Sequence, residues 1–198
     1  MRLALFGGSF DPFHNGHLAV VRELGDRGLC EQVLISPARI SPGKPAPLAA
    51  GHHREVMAVL GAAEHAYVSV LDLELRRPGP SYTVETLAEL SRGRPGDEWL
   101  LIVGADAWRD FRTWHDPDRI LELARIVVFP RPGIDPDPAS STPRVTLLED
   151  FLVPVTSTAI RRRIAAGESV THLLPGRVLD YIRLHGLYGC PCAADDGG

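Results

Sequence analysis

Residues 3–24 read LALFGGSFDPFHNGHLAVVREL, from Leu3 to Leu24, and this stretch decides the fold. The apolar run Leu3-Ala4-Leu5-Phe6 has the length and composition of a first β-strand. From about Leu18 to Leu24 the spacing becomes that of an amphipathic helix. Between the two, Gly7 and Gly8 let a backbone approach a ligand without interference from a Cβ. A helix N-terminus just downstream offers free N–H groups and the positive end of a dipole. His14 and His17 flank Gly16 at that point. The expectation is a phosphate-handling site with cationic side chains aimed at it.

Outward from this unit, strand-length apolar runs alternate with helical patterns. Gln32–Ser36, Tyr67–Val70, Glu98–Val103 and Arg125–Phe129 read as strands. Helices are expected over His53–Ala63, from Tyr82 or Thr83 to about Leu90, and over Pro117–Leu123. Continuous apolar strands separated by helices mark a parallel sheet covered on both faces. The fold class is therefore α/β, a doubly wound parallel sheet with ligands at the carboxyl ends of its strands. Toward the C-terminus the chain turns helical over Thr158–Ala166 and Gly176–His185, with Gly167 and Gly186 placed to end those helices. The Pro-rich stretch Pro37–Pro47 is a surface loop, and Arg131–Pro143 is expected to be a mobile excursion. Residues 1–188 form a single domain whose helical part spans about 157–188, followed by a disordered tail over 189–198.

The 198 residues suit one domain, and a hydrophobic share of 44% is ordinary for a globular chain. A formal net charge of −4 gives no sign of a nucleic-acid or membrane surface. No leader pattern precedes the first strand, and no apolar run nears the roughly 20 residues needed to span a bilayer. Cys30, Cys190 and Cys192 are too few for a disulfide framework. A cytoplasmic location is expected. Cys190-Pro191-Cys192 is one pair without further ligands, so it is not read as a metal or redox site. Zinc at His14 and His17 fails for the same reason.

Other residues carry chemistry. Two imidazoles at the spacing of His14 and His17 can each donate an N–H to oxygens that gain charge during phosphoryl or nucleotidyl transfer. Thr156-Ser157-Thr158 places hydroxyls at a helix start, where they cap N–H groups or bond a phosphate oxygen. Ile160 and Ile164 define the buried face of that helix. Of the three arginines that follow, Arg161 lies nearest the N-terminus and is read as ligand-facing, with Arg162 and Arg163 solvated. Gly104-Ala105-Asp106 closes the strongest strand with a glycine turn and a carboxylate suited to a ribose hydroxyl, or with Asp106 as an N-cap. Pro80-Ser81-Tyr82-Thr83 opens a helix as a cap or as a nest of N–H groups for an anion. Trp114 reads on its own as core, with stacking on a planar ligand as the alternative. Lys44 on its own reads as a solvated lysine.

Together these residues resemble the nucleotidylyltransferase superfamily with its H-x-G-H signature, here His14-Asn15-Gly16-His17. Within it they are similar to the bacterial nicotinate-nucleotide adenylyltransferases, from Leu3 to about Tyr188. The carriers are Gly7–His17 (with Ser9 where threonine is common), Pro80–Thr86, Gly104-Ala105-Asp106, Thr113-Trp114, Arg131-Pro132-Gly133, Thr156–Arg161, Leu173-Leu174-Pro175 and Gly186-Leu187-Tyr188. The resemblance implies a Rossmann-like nucleotidyltransferase fold and transfer of AMP from ATP to nicotinate mononucleotide, giving deamido-NAD and pyrophosphate. It implies His14, His17, Lys44 and Arg161 as catalytic residues on the phosphates and leaving group. Gly7, Gly8, Ser9, Phe10, Gly16, Gly104, Asp106, Ser157, Thr158 and Ile160 are the implied ATP contacts. Ser81, Tyr82, Thr83, Trp114 and Arg131 are the implied mononucleotide contacts. Mg²⁺ is expected to ride mainly on the ATP phosphates, without a protein metal site. A homo-oligomer is compatible with the reading.

The loop Ser36–Pro47 is poorer in aromatic and histidine residues than is usual in that family, which leaves nicotinamide mononucleotide as the alternative acceptor. Relatives using pantetheine phosphate or a CTP donor rank lower. A class I aminoacyl-tRNA synthetase shares the H-x-G-H idea but needs a longer chain and a basic surface. A non-catalytic nucleotide sensor is the rival from another class.

Overall fold

The first strand, β1 (Arg2–Gly8), is buried from Leu3 to Phe6 and lies in the middle of a six-stranded sheet. The computed structural model describes residues 1–131, 133–134, 143–148, 151 and 154–191. Around β1 stand β2 (Gln32–Pro37), β3 (Val68–Val70), β4 (Glu98–Gly104), β5 (Arg125–Phe129) and β6 (Val145–Leu147), in the order β3-β2-β1-β4-β5-β6. Every pairing is parallel. The order reverses between β1 and β4, whose register sets Phe6 beside Ile102. That switch point opens a crevice at the carboxyl ends of the two strands.

Alternation along the strands supplies both hydrophobic layers. Ala4, Phe6, Val33, Ile35, Leu100 and Ile102 face α1 (Asn15–Asp26), α2 (Gly51–Ala62), α7 (Ser157–Ala165) and α8 (Gly176–Leu184), through Val20, Leu24, Met57, Ile160, Ile164, Val178 and Ile182. Leu3, Leu5, Leu34, Leu101 and Val103 face the other way, onto Val84 and Leu87 of α4 (Thr83–Gly93) and Ile120 of α6 (Pro117–Leu123). The doubly wound architecture expected from the sequence is the observed one.

Several boundaries differ from expectation. Helix α1 begins at Asn15, so His17 is inside it and His14 is its N-cap. Two short helices escaped the periodicity reading: α3 (Leu73–Arg76) and α5 (Ala105–Arg109). So did β6. Gly104, not Asp106, is the N-cap of α5. Gly167 (φ 72°) and Gly186 (φ 57°) are left-handed after α7 and α8, as the helix-ending reading required. A short 3₁₀ turn, Leu187–Gly189, carries order beyond residue 188, and Cys190 packs against the core. Most of the expected excursion at 131–143, and the tail from Cys192 on, lie outside the described residues. Among the described residues no helix is long and apolar enough to cross a membrane.

Candidate active site

The Gly-rich loop leaves β1 with space above it. A Cβ on Gly7 would meet nothing within 4 Å, whereas one on Gly8 would lie 3.2 Å from the Phe10 ring. Phe10 itself is 1% exposed and packs on Phe6 and Phe13. Its side chain is therefore core, and only its backbone could meet a nucleotide. Ile160 needs the same correction: its side chain is fully buried and its N–H is spent on Thr156 O at 3.1 Å.

His14 and His17 cap one another. The His17 N–H donates to His14 Nδ1 (3.3 Å), and the His14 N–H donates to His17 Nδ1 (3.2 Å). The rings stack with centroids 3.7 Å apart and planes 18° apart. A nitrogen that accepts from an N–H carries no proton, so both rings are Nε2–H tautomers, each with one donor to spare. Burial among Phe6, Phe10 and Phe13 disfavours an imidazolium on His17. Burial, then the positive charge of Arg131, pushes His14 down to about 3. His17 is held well below its ordinary value by burial, then by His14 and Arg131. The expected cationic histidines are, in the free protein, neutral hydrogen-bond donors.

Positive charge comes from elsewhere. Arg161, on the first turns of α7, donates from Nη1 to Asp11 O at 2.7 Å and from Nη2 to Thr158 Oγ1 at 3.3 Å. Ser157 Oγ donates to Pro12 O at 3.0 Å, and Thr156 caps α7 through Ala159 N. The start of α7 is thus bonded to the Gly-rich loop, about 145 residues away along the chain. Arg162 and Arg163 are exposed, as expected. Arg131, just past β5, lies over the Phe129 ring at 5.0 Å with Nε 3.6 Å from Asp106 Oδ1. Its positive charge also bears on both histidines. Gly104 makes this corner possible. A Cβ there would stand 2.5 Å from Asp106 Oδ1 and 3.1 Å from Arg131 Nε.

The second half of the crevice is built on the loop between β2 and α2. Ser81 N–H donates to Ile40 O (2.9 Å) and Ser81 Oγ accepts from Arg39 N–H (2.9 Å), so the P-S-Y-T segment is tied to the Pro-rich loop. Tyr82 precedes Thr83 at the start of α4, and its ring meets His115 at 4.7 Å. Trp114 is half-buried against Phe111 (5.5 Å). Lys44 is exposed in a turn closed by its own N–H on Ser41 O. The described contacts bring Ser157 and Arg161 to the Gly-rich loop, His14 to His17, and Asp106 to Arg131; they bring the Lys44 ammonium to none of these.

Sequence reasoning missed Asp11 and Arg54. Asp11 is 3% exposed, and its carboxylate accepts from Leu48 N–H (2.8 Å), Ala49 N–H (3.1 Å) and Tyr188 OH (2.7 Å). Arg54, 2% exposed, donates to Ser9 O (2.8 Å), Ala38 O (2.6 Å) and Ala49 O (3.1 Å). Between them they pin both ends of the Lys44 loop to the Gly-rich loop. Asp11 stands in the opening motif, so its importance was visible there; its partners were not. Arg54 gave no signal beyond an arginine on an otherwise apolar helix face.

Known proteins share this fold and sequence pattern. Residues 5–163 match the model of the cytidylyltransferase-like family. A Thermus thermophilus protein named "Probable nicotinate-nucleotide adenylyltransferase" is 44% identical over 188 residues, covering 95% of this chain and 100% of its own. A Thermomicrobium roseum protein of the same name is 39% identical, covering 94% of this chain and 91% of its own. In structure the chain is similar to Plasmodium falciparum nicotinic acid mononucleotide adenylyltransferase complexed with NaAD. That likeness has a TM-score of 0.81 at 18% identity, over 95% of this chain and 97% of the other, and shows the shared fold.

Proposed function

The chain belongs to the cytidylyltransferase-like family, in the nicotinate-nucleotide adenylyltransferase branch, and from that membership we propose that it transfers AMP from ATP to nicotinate mononucleotide. The products are deamido-NAD and pyrophosphate, a step of NAD biosynthesis. The relatives' curated names support the reaction, and the reciprocal histidine cap supports the way the chain carries it out.

The attacking group is a phosphate oxygen of the mononucleotide, and with a second pKa of about 6 it is ionised near pH 7. It forms a bond to the α-phosphorus of ATP as the bond from that phosphorus to the bridging oxygen of pyrophosphate breaks. No proton need be removed, so no general base is required. Catalysis rests on holding two anions in line and stabilising charge on the α-phosphate and the leaving group. His14 and His17 offer paired Nε2–H donors to the phosphates. Donors already fixed by the helix cap need no rearrangement as charge develops. Arg161 and Arg131 add positive charge, and Lys44 is assigned to the phosphates once its loop meets substrate. Gly104 and Asp106 suit the ribose, and Ser81, Tyr82, Thr83 and Trp114 suit the nicotinate ribotide.

Among the described residues no cluster of three metal-ligating side chains exists, and the Asp11 oxygens are already engaged. The Mg²⁺ of this proposal would be held by triphosphate oxygens and water. Bound there, the ion would neutralise triphosphate charge.

A pyrophosphate-release assay with ATP, Mg²⁺ and nicotinate or nicotinamide mononucleotide tests the reading. Turnover preferring nicotinate mononucleotide is expected. Preference for nicotinamide mononucleotide would replace the acceptor, and ATP binding without turnover on either would revive the sensor.

A further inference from the structure

Tyr188 closes a chain of contacts that begins in the phosphate site. It lies in the 3₁₀ turn after α8 and has a left-handed backbone, φ 60° and ψ 25°. Such a conformation is uncommon for a bulky side chain and persists where surrounding structure holds it. Phe10, next to Asp11 in the Gly-rich loop, is left-handed as well, at φ 48°. Of the three non-glycine residues with positive φ among the described residues, one therefore precedes Asp11 in the chain and another is hydrogen-bonded to it.

That carboxylate is Asp11. Tyr188 OH donates to its Oδ1 at 2.7 Å, and the same oxygen accepts from Ala49 N–H, while Oδ2 takes Leu48 N–H. Burial, then the adjacent Asp11 charge, raises the Tyr188 pKa, so the phenol stays a donor. Arg161 lies on the other side, with Nη1 on the Asp11 carbonyl and 3.8 Å from Oδ2. Thus the carboxylate that accepts the Tyr188 hydrogen bond also fixes the end of the Lys44 loop and faces the arginine of α7. A buried charge of this kind keeps one geometry only while its partners are complete.

We propose that Tyr188 is a positioning residue for the phosphate site, acting through Asp11 to hold Arg161 and the exit of the Lys44 loop in register. The proposal rests on the adenylyl-transfer reading for its kinetic readout but not for its binding readout. A C-terminal residue 177 positions from Asp11 along the chain would then set the geometry of the phosphate site.

The test compares wild type with Tyr188→Phe, Asp11→Asn and the double variant, well below each protein's Tm. Small displacements of positioned groups can cost up to about 10²-fold in rate, and Tyr188→Phe is expected to lower kcat by about tenfold. Because Tyr188 acts through Asp11, adding Tyr188→Phe to Asp11→Asn should lower kcat little further. A Tyr188→Phe variant with a lower Tm but wild-type kcat and KM for ATP would overturn the proposal, since that is the mark of a purely structural contact. Independent, multiplying losses in the double variant would also overturn it. The same cycle is read in the Kd of a non-hydrolysable ATP analogue, where a weakened, non-additive affinity supports the coupling. Wild type that binds the analogue but turns over neither mononucleotide would defeat the reaction assignment alone.

Discussion

His14 and His17 hold each other's backbone N–H on Nδ1, at 3.3 and 3.2 Å, so one pair of contacts both starts α1 and leaves each ring its Nε2–H as a donor. In the proposed mechanism the same two side chains serve as structural cap, through Nδ1, and as phosphate donors, through Nε2–H.

Loss of one donor should therefore cost rate more than fold. His17→Ala is expected to lower kcat by about 10², the scale for removing a single charge-stabilising donor. The variant should still unfold cooperatively, and near-wild-type turnover would return His17 to a purely structural role. His14→Ala should add a stability loss of about 1 kcal/mol, because the N-cap itself disappears.

Stability should fall in mild acid. Both imidazoles are depressed in the folded protein, His14 to about 3, from an ordinary value of 6.5. Below 6.5 the unfolded chain takes up protons that the native histidines refuse. Their contribution is therefore complete above that pH and declines as pH drops toward the folded values. The slope is up to about 1.4 kcal/mol per pH unit for each histidine. Denaturant titrations at pH 7 and pH 5 measure it. His14→Asn keeps a capping acceptor and should reduce the slope; an unchanged slope would contradict the burial argument.

The architecture was legible because β1, β2, β4 and β5 are apolar runs that no amphipathic helix imitates. Elements of three or four residues, such as β6 and α3, are too short to show a period. The start of α1 was misplaced because histidine is not among the usual N-cap residues. The expected site residues stand in local motifs, and the structure joins the start of α7 to the Gly-rich loop and Asp106 to Arg131. Their charge state did not follow from the motifs, because it depends on rings from Phe6, Phe10 and Phe13 closing around His17. Asp11 and Arg54 were missed for a similar reason: the Asp11 partners lie up to 177 residues away.

Gly104→Ala should damage nucleotide binding. The added methyl would stand 2.5 Å from Asp106 Oδ1 and 3.1 Å from Arg131 Nε, so that pair must move apart. The KM for ATP should rise several-fold while the fold is kept, as read by steady-state kinetics and thermal melting. An unaltered KM would remove the Asp106–Arg131 corner from the ATP site.

The three adjacent arginines should separate cleanly. Arg161→Lys loses the fork that spans Asp11 O and Thr158 Oγ1, and kcat should drop by at least tenfold, the scale of a charged hydrogen bond worth about 1.5–3 kcal/mol. Arg162→Gln and Arg163→Gln, on the exposed face, should leave kcat within twofold, about 0.5 kcal/mol, the range of ordinary surface changes. Equal losses at all three would mean that the site senses general positive charge rather than Arg161.

The most direct measurement is ¹⁵N NMR of the imidazole nitrogens in the free protein, followed from pH 8 to pH 5. Both His14 and His17 should show neutral Nε2–H tautomers with unprotonated Nδ1 across the whole range. Imidazolium signals from either residue near pH 7 would contradict the account that ATP meets a pair of preset neutral donors.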